Sequence, residues 1–177
     1  MTLFLQSVIS GVLVGGVYAL IGIGLTIIFG VMRVINFAHG DLLMLGMYIT
    51  WLVFRFLGLD PFLSIVVTAP VMFLFGAFLQ KTFINRALNA LPQNQILLTI
   101  GLGLVMSNTV MLIFTSDYQI LTTTYSSSSY SLGGISISQP LLFAFLITAA
   151  ITGARYWFLL KTDTGQAIRA TAQGRDG

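Results

Sequence analysis

Hydrophobic residues gather into five long segments, and short polar stretches separate them. Within each segment leucine, isoleucine, valine and phenylalanine follow one another without the alternation of a half-buried strand. A bilayer offers no water to the backbone, so apolar segments of this length are expected to form helices. The predicted spans are residues 3–32, 42–57, 62–79, 96–114 and 140–160.

This pattern predicts an all-α fold, a polytopic transmembrane helical bundle with about five spans, since one crossing needs roughly 20 apolar residues. The first segment is longer than one crossing. It must tilt, extend beyond the hydrocarbon or bend at one of its glycines. Its division into two spans stays open as an alternative.

Composition excludes several classes of protein. Hydrophobic residues make up 56% of the 177-residue chain and charged residues 7%. A soluble domain carries about 25% charged residues, so this chain could not cover a water-facing surface. Its net charge of +3 is scattered between apolar runs and forms no basic face for nucleic acid. The absence of cysteine excludes thiolate metal sites and a cysteine nucleophile.

Positive charge near the span ends predicts the orientation, because cytoplasmic connections carry the excess of lysine and arginine. With five crossings the tail 161–177 lies on the cytoplasmic side, and the N-terminus and the Ser-rich connection 116–139 lie outside. The residues on the positive side are Arg33, Lys81, Arg86, Lys161, Arg169 and Arg175, against Arg55 on the other.

Small residues recur every three or four positions along the first span and therefore share one helix face. Such a face lets helix backbones approach closely in lipid. The stripe is interpreted as a helix-packing face, and part of it could also line a substrate path. Its members are Ser7, Gly11, Gly15, Ala19, Gly22, Thr26 and Gly30.

The connection between the first two spans holds the most unusual local feature, with the residues Asn36, His39, Gly40 and Asp41. Asn36 and Asp41 are candidate N-caps, and Gly40 allows a bend. A helix that starts here presents free N–H groups, which hold anionic substrate groups in several transporters. These four residues are the candidate substrate pathway. The alternative is a structural turn at the cytoplasmic interface, with Asp41 capping the second span. One histidine and one aspartate supply too few ligands for a metal site.

No catalytic signature occurs: the chain lacks GxSxG, HExxH and a Walker A loop, and it contains no glutamate. We therefore predict that the chain is not an enzyme. All five aspartates are expected outside the span cores, which argues against proton coupling. A separate ATP-hydrolysing subunit would then supply the energy. The polar tail after the fifth span reads as a short amphipathic cytoplasmic helix, or simply as a solvated extension of that span.

Three segments carry a family resemblance. Residues 34–46, VINFAHGDLLMLG, resemble the signature of branched-chain amino acid ABC transporter permeases, and residues 16–26 resemble the first span of that family. Residues 165–173 resemble the start of its cytoplasmic EAA-type loop, which forms the coupling helix that docks on the ATPase. This resemblance implies a coupling role for Gly165, Ala167, Ile168, Arg169, Ala170 and Ala172.

The resemblance also implies a complete assembly in the bacterial inner membrane. The expected partners are a second permease subunit, two cytoplasmic ATP-binding subunits and an external amino-acid-binding protein. ATP would bind the partner subunits, and this chain would need no cofactor. Leucine, isoleucine and valine are the implied substrates, although related permeases carry urea, amides or other amino acids. A passive channel or secondary carrier without an ATPase is the rival hypothesis.

The chain also departs from the family pattern. It ends at Gly177, inside the EAA-type loop, and the further spans of such permeases do not follow. Residues 1–177 are therefore interpreted as the N-terminal part of one transmembrane permease domain.

Overall fold

The computed structural model describes residues 1–32, 34–88, 90–115, 117, 119–163 and 165–166. Among them, five helices are long and apolar enough to cross a membrane. This confirms the predicted polytopic helical bundle. The helices are α1 (Thr2–Ile27), α2 (His39–Leu57), α3 (Ile65–Leu79), α4 (Pro92–Phe114) and α5 (Gln139–Lys161).

The first apolar segment is a single helix. After Ile27, α1 continues directly into the π-helical turn Ile28–Met32. At 1.5 Å per residue the two together are roughly 46 Å long, against a hydrocarbon core of about 30 Å. The alternative of two spans in this segment is therefore wrong, and the excess length has to tilt or leave the bilayer core.

The third helix runs further than its apolar pattern predicts. A π-helical turn at Gln80–Ile84 and a short helical turn at Asn85–Ala87 extend it into the stretch predicted to be a polar connection. Lys81 is exposed at this point, while Phe83 packs on the apolar cluster of α2 and α4. A long polar side chain can leave the apolar surface while its helix continues, so polarity alone misplaced this helix end.

The chain folds as two compact units. The first comprises Met1–Arg33 and Thr122–Gly177, and the second comprises Val34–Leu121. Each unit has its own helix contacts.

In the first unit, α1 and α5 run parallel. A Cβ atom on Gly16 would lie 2.5 Å from Cδ2 of Phe145, so glycine is what lets the phenyl ring rest on the α1 backbone. Nearer the start of α1, the Gln6 side chain bonds both backbone groups of Ser136. Its Nε2 donates to the carbonyl at 2.5 Å, and its Oε1 accepts from the amide at 2.8 Å.

Ser136 belongs to a β-hairpin that the sequence pattern did not predict. Strands β1 (Ser129–Leu132) and β2 (Ile135–Ser138) are antiparallel. Gly133 and Gly134 join them with φ values of 57° and 84°, as a two-residue hairpin turn requires. Because Gln6 reaches this hairpin, the start of α1 and the Ser-rich connection lie at the same end of the unit. Four spans separate the two along the chain, and an even number of crossings requires that placement.

In the second unit, α2 is antiparallel to α3 and parallel to α4. The hydroxyls of Thr50 and Thr68 bond at 3.2 Å between α2 and α3. Farther along α2, the Tyr48 ring packs on Phe114 at the end of α4, with the two ring centroids 4.6 Å apart. Arg55 lies in the last turn of α2. Its guanidinium lies 5.0 Å above the Trp51 ring, so this arginine has an aromatic partner within its own helix.

A non-helical stretch, residues 34–38, leads into α2 and lies along the first half of α4. Thr99 of α4 is only 1% exposed, and its hydroxyl supports this stretch in both directions. The oxygen accepts from the Phe37 amide at 3.2 Å. Its single hydrogen can go to the Ile35 carbonyl at 3.1 Å or back to carbonyls of its own helix. The Thr99 side chain of α4 therefore provides hydrogen bonds to backbone groups of this non-helical stretch.

Gly16→Ala should destabilise the first unit, because the new methyl group forces the Phe145 ring off α1. The expected cost is about 1–3 kcal/mol, typical of overpacking. Gly15→Ala is the matched control, since its Cβ would meet no atom within 4 Å. Thermal unfolding of the full-length protein in detergent measures both. Equal unfolding temperatures for the two variants would show that α5 does not pack on Gly16.

Thr99→Val should destabilise the second unit by about 0.5–1.5 kcal/mol, because it removes the acceptor of the partly buried hydrogen bond from the Phe37 amide. Thr99→Ser keeps the hydroxyl and should recover most of the loss. Thr109→Val is the control: that exposed hydroxyl bonds only the Val105 carbonyl of its own helix. A Thr99→Val protein as heat-stable as Thr109→Val would contradict the contact between residues 34–38 and α4.

Candidate functional site

The candidate site lies where α2 begins, against the middle of α4. The Ser107 hydroxyl donates to Oδ1 of Asp41 at 2.5 Å. Oδ2 of Asp41 occupies the space that a Cβ atom on Gly103 would fill. Gly103 and Ser107 lie in the central part of the 23-residue α4, well away from both of its ends. The Asp41 carboxylate therefore lies beside the centre of a membrane-spanning helix.

This placement corrects two expectations. The α2 N-cap is Ala38, and no side chain caps it, so neither Asn36 nor Asp41 is the N-cap. Asp41 lies in the first helical turn, where its negative charge suits the helix dipole, and its carboxylate turns to α4. Asp41 lies near the start of its own span, so the expectation that no aspartate lies within a span core stays a prediction. The sequence marked a polar connection but could not show that it folds back along α4.

Asn36 prepares the helix without capping it. Its Oδ1 accepts from the Ala38 amide at 3.1 Å, which closes a tight turn just before α2. Asn36 is 9% exposed, and its neighbours Val34 and Ala38 are 2% and 3% exposed. Three residues of the non-helical stretch are therefore buried in protein, whereas Ile35 is half-buried and Phe37 is 59% exposed.

The other two candidate residues make no such contacts. His39 is half-buried, and its Nε2 is enclosed without a hydrogen-bond partner. Gly40 is exposed, and a Cβ atom there would meet no atom within 4 Å. The structure therefore divides the predicted set: Asn36 and Asp41 hold the segment in place, whereas His39 and Gly40 make no hydrogen bond of this kind.

Sequence reasoning missed the α4 residues of the site. Thr99, Gly103 and Ser107 recur every four residues and so form one small, polar helix face. That spacing was a readable signal in the same way as the stripe on α1. Gln95 lies one turn earlier, and its Nε2 reaches the carbonyls of Leu88 and Ala90 at 3.4 Å.

The α1 stripe faces away from its own unit. All seven of its residues are exposed, and a Cβ atom on Gly11, Gly15, Gly22 or Gly30 would meet no atom within 4 Å. Among the described residues, α5 packs on Gly16 instead. The helix-packing role of the stripe stays a prediction.

The coupling segment is described only at its start. The Gly165 amide donates to Oγ1 of Thr162 at 3.1 Å. A Cβ atom on Gly165 would lie 2.5 Å from the Phe158 carbonyl oxygen, so glycine permits the chain to fold against the end of α5. The other coupling candidates, Ala167, Ile168, Arg169, Ala170 and Ala172, lie outside the described residues.

Chemically, the site offers hydroxyl, amide and carboxylate groups in an apolar setting. In the described part of the chain, no three His, Cys, Asp or Glu side chains come together in a group that could hold a metal ion. Such an arrangement suits the binding and passage of a polar solute.

Comparison with known proteins finds relatives that all carry the same description. BraD of Pseudomonas aeruginosa, a high-affinity branched-chain amino acid transport system permease protein, is 29% identical over 96% of this chain. The LivH proteins of Salmonella typhimurium and Escherichia coli, described in the same words, are each 27% identical over 96% of this chain. The chain spans 59% of the length of these relatives. No solved structure matches it.

A family model supplies the assignment. Residues 7–177 match the model described as the permease component of the branched-chain amino acid transport system. The match covers nearly all of the chain and includes both the non-helical stretch before α2 and the Asp41 contact with α4. The chain therefore belongs to this permease family and is a multi-pass membrane protein.

Proposed function

We propose that this chain is the membrane-spanning permease subunit of an ATP-driven importer for leucine, isoleucine and valine. The family match over residues 7–177 is the observation that carries the proposal. The relatives BraD and LivH are named for branched-chain amino acid transport. The bacterial inner membrane is the proposed location.

The geometry supports a substrate pathway at Asn36, His39, Gly40 and Asp41. Transporters often place substrate groups at helices that are interrupted within the membrane. Here residues 34–38 are non-helical and α2 begins beside the middle of α4. The first N–H groups of α2 have no partner within the helix, so they can face a polar solute. The apolar surroundings suit a branched aliphatic side chain.

The proposed assembly contains a second permease subunit, two cytoplasmic ATP-binding subunits and an external amino-acid-binding protein. ATP binds the partner subunits, so this chain requires no cofactor. Residues 165–172 dock on an ATPase as the coupling helix. In this arrangement the N-terminus and the β-hairpin face outside, which agrees with their shared end in the first unit and with the distribution of positive charge.

A secondary carrier is the second candidate, and one observation favours it. Proton-coupled carriers use acids within the membrane, and the structure places the Asp41 carboxylate beside the centre of α4. In such a carrier, Asp41 would be the acid that proton coupling uses. Uptake that requires an ATPase partner would favour the importer over the carrier. Uptake assays with leucine, urea and amides would show which of these solutes is the substrate.

In the full-length complex, Ala170→Arg should abolish ATP-dependent leucine uptake while membrane insertion stays normal. A bulky charge would enter the proposed contact between the coupling helix and the ATPase, and the ATPase should be lost on co-purification. Ala170→Ser is the conservative control. The measurement is uptake of radiolabelled leucine into proteoliposomes. If the arginine variant holds the ATPase and transports normally, residues 165–172 are not the coupling helix.

Topology can be checked with single cysteines in a cysteine-free background. An impermeant maleimide should label Ser127→Cys in intact cells, because the Ser-rich connection is proposed to lie outside. Arg86→Cys should be labelled only after the membrane is ruptured. The reverse pattern of labelling would overturn the proposed orientation.

A further inference from the structure

The chain changes direction immediately after α5. Lys161 is the last residue of the helix, and Thr162 takes an extended conformation with φ −107° and ψ 147°. A new helical turn then begins, because the Gln166 amide donates to the Thr162 carbonyl at 2.9 Å. A bond between an amide and the carbonyl four residues earlier is the repeating bond of an α-helix. The segment after Lys161 is therefore a separate element and does not continue α5.

One hydroxyl ties this new turn to the end of α5. The Thr162 hydroxyl donates to the Phe158 carbonyl, in the last turn of α5, at 2.6 Å. Its oxygen also accepts from the Gly165 amide at 3.1 Å, in the manner of a helix N-cap. The backbone amide of Thr162 reaches the same Phe158 carbonyl at 3.1 Å. A single residue thus closes one helix and starts the next turn.

Gly165 packs directly on the backbone of α5. It is buried, and a Cβ atom on it would lie 2.5 Å from the Phe158 carbonyl oxygen and 2.6 Å from the Leu159 Cα atom. Both are backbone atoms, which cannot turn aside as the end of a flexible side chain can. Any larger residue at position 165 would therefore push the new turn away from α5. We refer to Phe158, Leu159, Thr162 and Gly165 as the α5 corner.

We propose that the α5 corner is a rigid joint, through which movement passes between the ATPase and the membrane spans. This inference rests on the proposed function, in which residues 165–172 dock on an ATPase. A docked segment can move a span only if the angle between them is fixed, because a free linker would absorb the movement. The corner has hydrogen bonds and a close backbone contact, and close-packed groups transmit displacement because they deform little.

The proposal assigns a positioning role to Thr162 and Gly165. Neither residue has to touch the ATPase or the solute. Thr162 fixes the angle with its hydroxyl, and Gly165 keeps the new turn against α5 because it has no side chain. Loss of either should leave the ATPase bound and active but separate its activity from transport.

The test measures two rates in proteoliposomes that contain the full-length permease and its partner subunits: uptake of radiolabelled leucine and hydrolysis of ATP. Thr162→Val removes the hydroxyl and keeps the shape of the side chain. It should lower the leucine taken up per ATP hydrolysed about fivefold, the scale of one hydrogen bond. Gly165→Ala should lower this ratio further, because its methyl group forces the corner open. ATP hydrolysis should stay within about twofold of wild type in both variants.

Three matched variants serve as controls. Thr162→Ser keeps the hydroxyl and should recover most of the ratio. Thr109→Val removes a hydroxyl that bonds only the Val105 carbonyl of its own helix. Gly153→Ala adds a methyl group to α5 where it meets no atom within 4 Å. Both of these last two should match wild type.

The remaining outcomes overturn the proposal. Wild-type ratios in Thr162→Val and Gly165→Ala would show that the corner carries no movement. Loss of the ATPase on co-purification would assign these residues to docking, and a parallel fall in uptake and hydrolysis would assign them to stability alone. Failure of Thr162→Val to assemble where Thr162→Ser assembles would also point to stability. A wild-type complex without ATP-dependent leucine uptake would refute the proposed function itself, and the joint with it.

Discussion

Non-helical backbone that packs on an apolar helix must find its hydrogen bonds within the protein, and this requirement governs the second unit. Residues 34–38 are not helical, yet they lie along the first half of α4. The Thr99 hydroxyl accepts from one of their amides and can donate to one of their carbonyls, while Asn36 closes the turn that follows. Without these two side chains, the chain would have polar groups facing an apolar helix surface. The start of α2 against α4 depends on these hydrogen bonds.

The position of α2 in turn determines what Asp41 can do. Asp41 lies in the first turn of α2, and its half-buried carboxylate contacts Gly103 and Ser107 of α4. Gly103 contributes by its lack of a side chain, because any Cβ atom there would displace the carboxylate. The face of α4 formed by Thr99, Gly103 and Ser107 is thus the surface on which the start of α2 packs.

Much of the fold could be predicted from the chain, because the spans are marked by long uninterrupted apolar runs. The number of spans followed from the thickness of a bilayer. The sequence left open whether the first apolar segment forms one span or two, and the structure shows one continuous helix through Met32. Polarity failed as a marker of helix ends at Lys81, where the side chain is solvated but the backbone continues. The β-hairpin was missed although both of its signals were visible: the alternation of apolar residues with serine in the two strands, and the Gly133–Gly134 turn.

The candidate site could be predicted only in part. The residue types in 36–41 drew attention to the right segment, because polar clusters between spans are uncommon. Their depth could not be read from the sequence, since it depends on contacts with residues more than sixty positions away, such as Thr99 and Ser107. The four-residue spacing on α4 becomes informative once the partner segment is known. Tertiary contact, not local pattern, decided that Asp41 faces α4 and does not cap α2.

The central claim is that residues 34–38 and the Asp41 carboxylate rest on α4. A cryo-electron microscopy structure of the full-length permease in lipid nanodiscs would show these side chains directly. The account predicts non-helical density for residues 34–38 beside Thr99, with the Asp41 carboxylate within hydrogen-bonding distance of Ser107. Helical density for residues 34–38, or an Asp41 carboxylate that points away from α4, would contradict it.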